Sequence, residues 1–220
     1  MRSLYLLLAG YLLILFSACT TLYVPSNNHT HLMTEKGEIH LAAAGGAHGF
    51  SLLGGYAITD QYGIVAAISG RETESNNGNI TETHEYAEIG FNYFGFEAGP
   101  ARGEITVGFG GGSGERGNSR GDYIKPYFQF NTAVTSRLFD TGVSLRTAYV
   151  GFTELEVDND RPRDSSIFFE PAFFARMGYR NVKLESQLGF AYPLSDSGEF
   201  AFGYEPIRMS VGVKVHFNTR

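Results

Sequence analysis

Met209-Ser210-Val211-Gly212-Val213-Lys214-Val215-His216-Phe217 alternates without a break. Met209, Val211, Val213, Val215 and Phe217 fall on one face, and Ser210, Gly212, Lys214 and His216 on the other. Successive strand side chains point to opposite sides, so this period of two marks a β-strand with one apolar face. The segment before it repeats the pattern. Val182, Leu184, Ser186, Leu188, Phe190 and Tyr192 oppose Lys183, Glu185, Gln187, Gly189 and Ala191. Working backwards gives ten candidate strands, near 37–46, 49–59, 62–71, 83–94, 102–112, 123–135, 142–156, 165–177, 181–192 and 205–217. In the second and third, Leu52-Leu53 and Ile64-Val65-Ala66-Ala67 leave the faces ambiguous. No helical i, i+3, i+4 spacing appears in this body.

The connections carry a second pattern. Thr59-Asp60-Gln61, Ser136 to Thr141 and Gly178-Tyr179-Arg180 are short, while Phe94 to Arg102 is longer and holds Gly99-Pro100. The alternate links, Arg71 to Glu82, Ser113 to Asp122, Val157 to Asp164 and Pro193 to Tyr204, are longer and rich in Asn, Gly, Ser, Asp and Glu. The link at Gly46-Ala47-His48 breaks the rule. Short turns at one end and long loops at the other are how outer-membrane barrels are built.

The start of the chain reads as a leader. Met1-Arg2-Ser3 is followed by the apolar run Leu4–Phe16. A helix needs about 20 residues to cross roughly 30 Å of hydrocarbon, so this run has the length of a signal-peptide core. Leu15-Phe16-Ser17-Ala18-Cys19 resembles a lipobox, with Phe16 where an aliphatic residue is usual. Residues 1–18 are therefore expected to be a cleaved lipoprotein signal peptide, with Cys19 as the lipidation site carrying palmitate-type acyl chains. Each buried CH₂ of such chains adds roughly 0.8 kcal/mol of anchoring. Cys19 is the only cysteine, so no internal disulfide can form. Residues 19–36, polar and irregular, read as a lipid-anchored tether, and 37–220 as the β-domain.

Composition fits a barrel. The chain has 28 Gly, 18 Phe and 13 Tyr with only 18 % charged residues. A net charge of −6 disfavours nucleic acid as a partner. Alternation alone does not separate a membrane barrel from a soluble sandwich, because both have period two. Three features favour the barrel: the leader places the chain in the envelope, the segments are longer than the usual 5–6 residues, and the polar faces carry charge. That polar set is Glu88, Glu104, Lys125, Gln129, Arg146, Glu170, Arg176, Lys183, Glu185, Lys214 and His216, expected to form a mutually paired network in the lumen. Glu170 with Arg176, and Lys183 with Glu185, are the nearest pairs along the chain. In lipid every backbone polar group needs a partner, so the sheet must close. The expected fold is an all-β, closed, antiparallel up-and-down transmembrane β-barrel of ten strands, with eight as the alternative. Trp is absent, and Tyr56, Tyr93, Tyr149, Tyr179 and Tyr192 near strand ends can serve at the membrane interfaces.

Tyr23-Val24-Pro25, followed by Glu35-Lys36-Gly37-Glu38 opening a Gly- and Ala-rich first hairpin, is similar to the small, mostly uncharacterised outer-membrane β-barrel lipoproteins of Gram-negative bacteria. The resemblance implies fold and an outer-membrane location. It carries over no catalytic residue.

Other motifs have plainer readings. Gly112-Ser113-Gly114-Glu115-Arg116-Gly117 matches a dinucleotide fingerprint but opens no helix, so it reads as a surface loop. Arg120-Gly121-Asp122 would sit on that loop, within reach of an adhesion partner. His29-Thr30-His31 offers two ligands without Cys or nearby acids, a weak metal site, and reads as unstructured tether. His40 and His216 face the lumen on neighbouring strands. His84 beside Glu82 and Glu85 is the nearest approach to a hydrolytic set at a rim, and reads as a solvated loop edge.

No catalytic residue, metal or cofactor is expected. The expected partners are outer-membrane lipid, the covalent lipid at Cys19, and an unknown protein or small molecule at the extracellular loops. The role expected is structural or surface interaction, with the lumen plugged by paired polar groups. Two alternatives stay open. One is a narrow pore or small-molecule transporter, favoured by wall glycines Gly108, Gly110, Gly112, Gly189 and Gly212 that would leave lumen space unfilled. The other is a rim enzyme acting on lipid or peptide bonds.

Overall fold

A computed structural model describes residues 21–46, 49–74, 81–157, 160–162, 164–179, 181–194 and 202–219. The leader and Cys19 lie outside the described residues. The chain forms ten long strands: β1 Glu38–Gly46, β2 Gly49–Ala57, β3 Tyr62–Glu74, β4 Thr81–Ala98, β5 Ala101–Arg116, β6 Ser119–Thr135, β7 Phe139–Glu156, β8 Ser165–Tyr179, β9 Val182–Phe190 and β10 Ile207–Asn218. Each pairs antiparallel with its neighbours in sequence, and β10 returns to β1, with His216 opposite His40. The sheet is a closed ring with no free edge, so its strands satisfy one another's backbone groups.

The two faces are assigned as the alternation requires. Outside, Ile89, Val107, Phe173 and Val211 are 61 %, 58 %, 57 % and 57 % exposed. Inside, Glu104, Lys125, Gln129, Arg146 and Glu170 are fully buried. Water-soluble domains bury apolar groups and leave charge outside; this barrel does the reverse.

One end holds the tight turns at 58–61, Gly99-Pro100 and 136–138 and the pairing of Tyr179 with Val182, together with the start of β1 and the end of β10. The strand ends Glu74 and Thr81, Glu156 and Ser165, and Phe190 and Ile207, which the longer links join, are at the other end. Two expected loops are tighter than their sequence suggested. Ser113 to Asp122 is a continuous ladder closed by a two-residue turn, with Arg116 opposite Ser119 and Gly117 at φ 60°. The fingerprint-like glycines and Arg120-Gly121-Asp122 therefore lie in strands, and Arg120 pairs with Glu115 across the ladder at 3.2 Å. Phe94 to Arg102 closes at Gly99-Pro100 after a bulge between Tyr93 and Phe96. Strands β4 to β8 are 15 to 18 residues long, against 9 for β1, β2 and β9, so this part of the wall stands taller.

The largest departure concerns the tether. Residues 21–34 pass through the lumen. Leu22, Tyr23, Asn28 and His29 are fully buried, and Ser26, Asn27, Thr30, His31, Leu32 and Met33 nearly so. Thr21–Tyr23 forms a short parallel pairing with Gly203–Tyr204 of the β9–β10 link. From there the thread descends in irregular conformation to Thr34, whose N–H and hydroxyl bond Glu38 at 2.8 and 2.7 Å. It carries no strand period because no strand of the barrel pairs with it below Tyr23.

Candidate functional site

The lumen is where polar chemistry concentrates, and the thread is its ligand in all but covalency. Without a ladder partner, the buried carbonyls of the thread must be met by side chains. The barrel wall supplies them one after another. Arg208 donates to the Ser26 carbonyl. Arg146 donates to Asn27 (3.5 Å) and Gln187 to Asn28 (3.1 Å). Gln129 and Asn131 both donate to His29, Asn131 at 2.6 Å. Arg176 and Lys214 donate to Thr30, Lys214 at 2.7 Å, and Lys214 also to His31 at 3.0 Å. Every carbonyl from Ser26 to His31 is thus held by a cation or an amide of the wall.

The carboxylates complete the arrangement. Arg146 sits at its centre. Its guanidinium reaches Glu88 at 3.2 Å, Gln129 Oε1 at 2.9 Å and Ser26 Oγ at 2.8 Å, and lies over the Tyr127 ring at 4.5 Å. Glu88 also accepts from Tyr86 (2.6 Å) and stands 2.8 Å from His29 Nε2. Glu170 takes Lys125 at 3.1 Å and the Tyr23 hydroxyl. Glu104 accepts the Leu32 N–H (2.9 Å) and the amides of Asn92 (2.9 Å) and Asn131 (2.6 Å). Leu32 has φ 56°, a left-handed conformation that costs a non-glycine residue roughly 1–2 kcal/mol. The Glu104 bond and the packing of Leu32 on Ala133 and Phe174 hold it there.

Towards the short-turn rim, Arg176 bonds Glu185, its direct cross-strand partner, and Lys183 bonds Asp140 at 2.8 Å. The pairs read along the chain, Glu170 with Arg176 and Lys183 with Glu185, are therefore replaced by pairs across strands. Lys183 and Glu185 are two residues apart and Glu170 and Arg176 six apart on one strand, at about 3.3 Å per residue, so each lies farther from the other than from a residue directly opposite. His40 stacks on His216 with ring centroids 5.4 Å apart, and His40 Nε2 is 3.2 Å from Glu38. His31 continues this column, 5.8 Å from His40 and 5.4 Å from His29. No cluster that could hold a metal ion is found among the described residues.

The long-loop end is closed by apolar packing. Tyr23 lies edge-on to Tyr123 (5.5 Å) and against Phe168 (4.9 Å), and Phe152 meets Phe202 at 4.5 Å. His84 belongs to this layer: it is buried and bonds the Tyr123 hydroxyl at 2.8 Å, so it is no solvated loop edge.

The wall glycines do not leave space. A Cβ on Gly108, Gly110 or Gly112 would fall 2.3, 2.2 and 2.6 Å from the side chains of Tyr127 and Tyr86 and from a neighbouring group of the Tyr123 layer, respectively, the nearest atom for Gly112 being the Glu85 carbonyl at 2.5 Å. Gly189 similarly faces Arg208 at 2.6 Å, while Gly212 abuts the backbone of β1 at 2.3 Å. Tyrosine rings and the Arg208 guanidinium fill what the missing side chains at Gly108, Gly110, Gly112 and Gly189 vacate. Beside the thread at Val24–Asn27 lies a cavity of about 20 Å³, close to the space of one water. A larger one of about 200 Å³ opens at the short-turn rim around His31, His40 and His216.

All eleven expected network residues are lumen-facing or at its short-turn rim, Lys183 and His216 being the rim members. Arg208, Asn92, Asn131, Asp140 and Gln187 belong to the same network. Arg208 lies one alternation step before Ser210, so extending the pattern by two residues finds it. The thread leaves a different trace: the inward donor Lys214 stands opposite Lys183 and Ala42, with no carboxylate directly across from it. No protein-family model and no curated protein matches the chain.

Proposed function

We propose that this chain is an outer-membrane β-barrel lipoprotein of a Gram-negative bacterium, anchored by acyl chains on Cys19, whose role is structural or surface interaction. Its lumen is sealed in the resting state, and any partner is met at the long loops. The observation that carries this reading is the grip on the carbonyls of Ser26 to His31 inside a wall whose outer face is apolar. A pore needs a wet path, and the cavity of about 20 Å³ beside Val24–Asn27, close to the space of one water, supports a sealed lumen instead. An apolar outer band needs lipid around it. Short turns face the periplasm and longer loops the exterior in such barrels.

Single-channel recording in a planar bilayer tests the proposal, using only protein whose heat-dependent gel shift shows it folded. Silence from folded protein is expected. Steady discrete steps would replace the sealed barrel with a transport pore.

A further inference from the structure

The direction of the thread has a topological result. Its lower end, at Thr34, meets β1 at the short-turn rim, where Glu38 and the end of β10 also lie. Its upper end is at the opposite rim. Thr21 lies beside Gly203 of the β9–β10 link, the Tyr23 carbonyl accepts from the Glu205 N–H at 3.1 Å, and Arg116, last residue of β5, reaches Thr21 at 3.5 Å. The polypeptide therefore crosses the barrel once before the first strand begins.

We propose that the mature N-terminus, with the lipid on Cys19, emerges on the long-loop side, opposite to the side that holds the barrel's own first and last strand ends. The lipid then inserts into the leaflet that faces the long loops, the outer one in the orientation given above. The inference rests on the lipoprotein reading. Covalent geometry enforces the side. Cys19 stands two positions before Thr21, and an extended chain advances at most about 3.6 Å per residue, so the cysteine lies within about 7 Å of Thr21. The hydrocarbon core is about 30 Å thick. The chain has no length to return outside the wall. It has no room to return inside, where about 20 Å³ remains beside the thread. A tether hanging below the barrel would place the anchor on the other leaflet, and that arrangement needs the lumen to be vacated of residues that make most of its hydrogen bonds.

Three single-thiol variants of the full chain decide it on intact cells, with a membrane-impermeant maleimide: Thr20→Cys, Asn77→Cys in the 75–80 link, and Arg220→Cys. A thioether-linked Cys19 does not react, so wild type is the blank. Folding is checked by the gel shift and location by membrane fractionation. The expected result is that Thr20→Cys labels like Asn77→Cys, at least tenfold above Arg220→Cys, until the outer membrane is permeabilised. Thr20→Cys labelling together with Arg220→Cys would overturn the inference. The comparison holds for either orientation of the barrel. Absence of the folded protein from the outer-membrane fraction would instead overturn the functional reading. So would a reactive Cys19 in wild type, for anchoring alone, while the side on which it reacts would still decide where the chain emerges.

Discussion

Arg146→Leu tests whether the lumen is held by charge. Wild-type Arg146 is fully buried and contacts Glu88 at 3.2 Å, with Gln129, Ser26 and the Tyr127 ring around it. Removing it leaves the Glu88 carboxylate buried with only neutral donors and His29. Breaking a buried pair on one side costs roughly 3–5 kcal/mol, which is about two to more than three decades in the folded-to-unfolded ratio. Glu88→Gln alone should cost less, because Arg146 also has Glu170 at 4.0 Å. The double variant removes both charges. It still lacks the bonds to Gln129 and Ser26, each worth about 1 kcal/mol, so it should lie about 1–3 kcal/mol below wild type and above Arg146→Leu. Equilibrium unfolding in urea, in lipid vesicles, read by the heat-dependent gel shift and tryptophan-free far-UV circular dichroism, gives all four stabilities. Additive losses, or a cost below about 1 kcal/mol for Arg146→Leu, would refute the charge-held lumen.

Three further outcomes follow from named contacts. Lys214→Met strips the donor from the Thr30 and His31 carbonyls, and should cost about 1–3 kcal/mol in the same unfolding assay. Gly110→Val should lose about 1–3 kcal/mol by overpacking against Tyr86, whereas Gly45→Ala, with nothing within 4 Å of its Cβ, should stay close to wild type; equal effects would mean that the rings do not fill the wall. Ile89→Lys, on the outer face at 61 % exposure, should lower stability in vesicles by about 2–4 kcal/mol if lipid surrounds it, and an unchanged midpoint would place water there instead.

The strands were legible because period two is a local property. Met209 to Phe217 and Val182 to Phe190 display it residue by residue, and the closed ring follows once each strand pairs with its neighbours. The lumen set was legible for the same reason, since every inward position is fixed by its outward neighbours. Partners were less so. Arg176 finds Glu185 through the β8–β9 register, and register depends on turn lengths that the Gly- and Ser-rich segments conceal. Gly112 to Gly117 looks like a loop by composition, yet two residues suffice to turn it, because Gly117 adopts φ 60°. The thread was illegible in principle from pattern alone. Tyr23 to Thr34 has no period, and its polar content looks like solvent exposure. Its burial depends on donors contributed by β6, β7, β8, β9 and β10, far away in sequence.

A thread inside a closed ring constrains the order of events in assembly. The ring shuts between β1 and β10, the two strands farthest apart along the chain. The thread continues directly into β1, so it is present when the last seam is made. With about 20 Å³ to spare beside it at Val24–Asn27, a finished ring would have to swallow Leu22 and Tyr23 one bulky group at a time. Wrapping the wall around a strand already laid down avoids that passage. The barrel then closes on its own N-terminal segment, and drawing that segment out breaks the bonds from the wall to the carbonyls of Ser26 to His31.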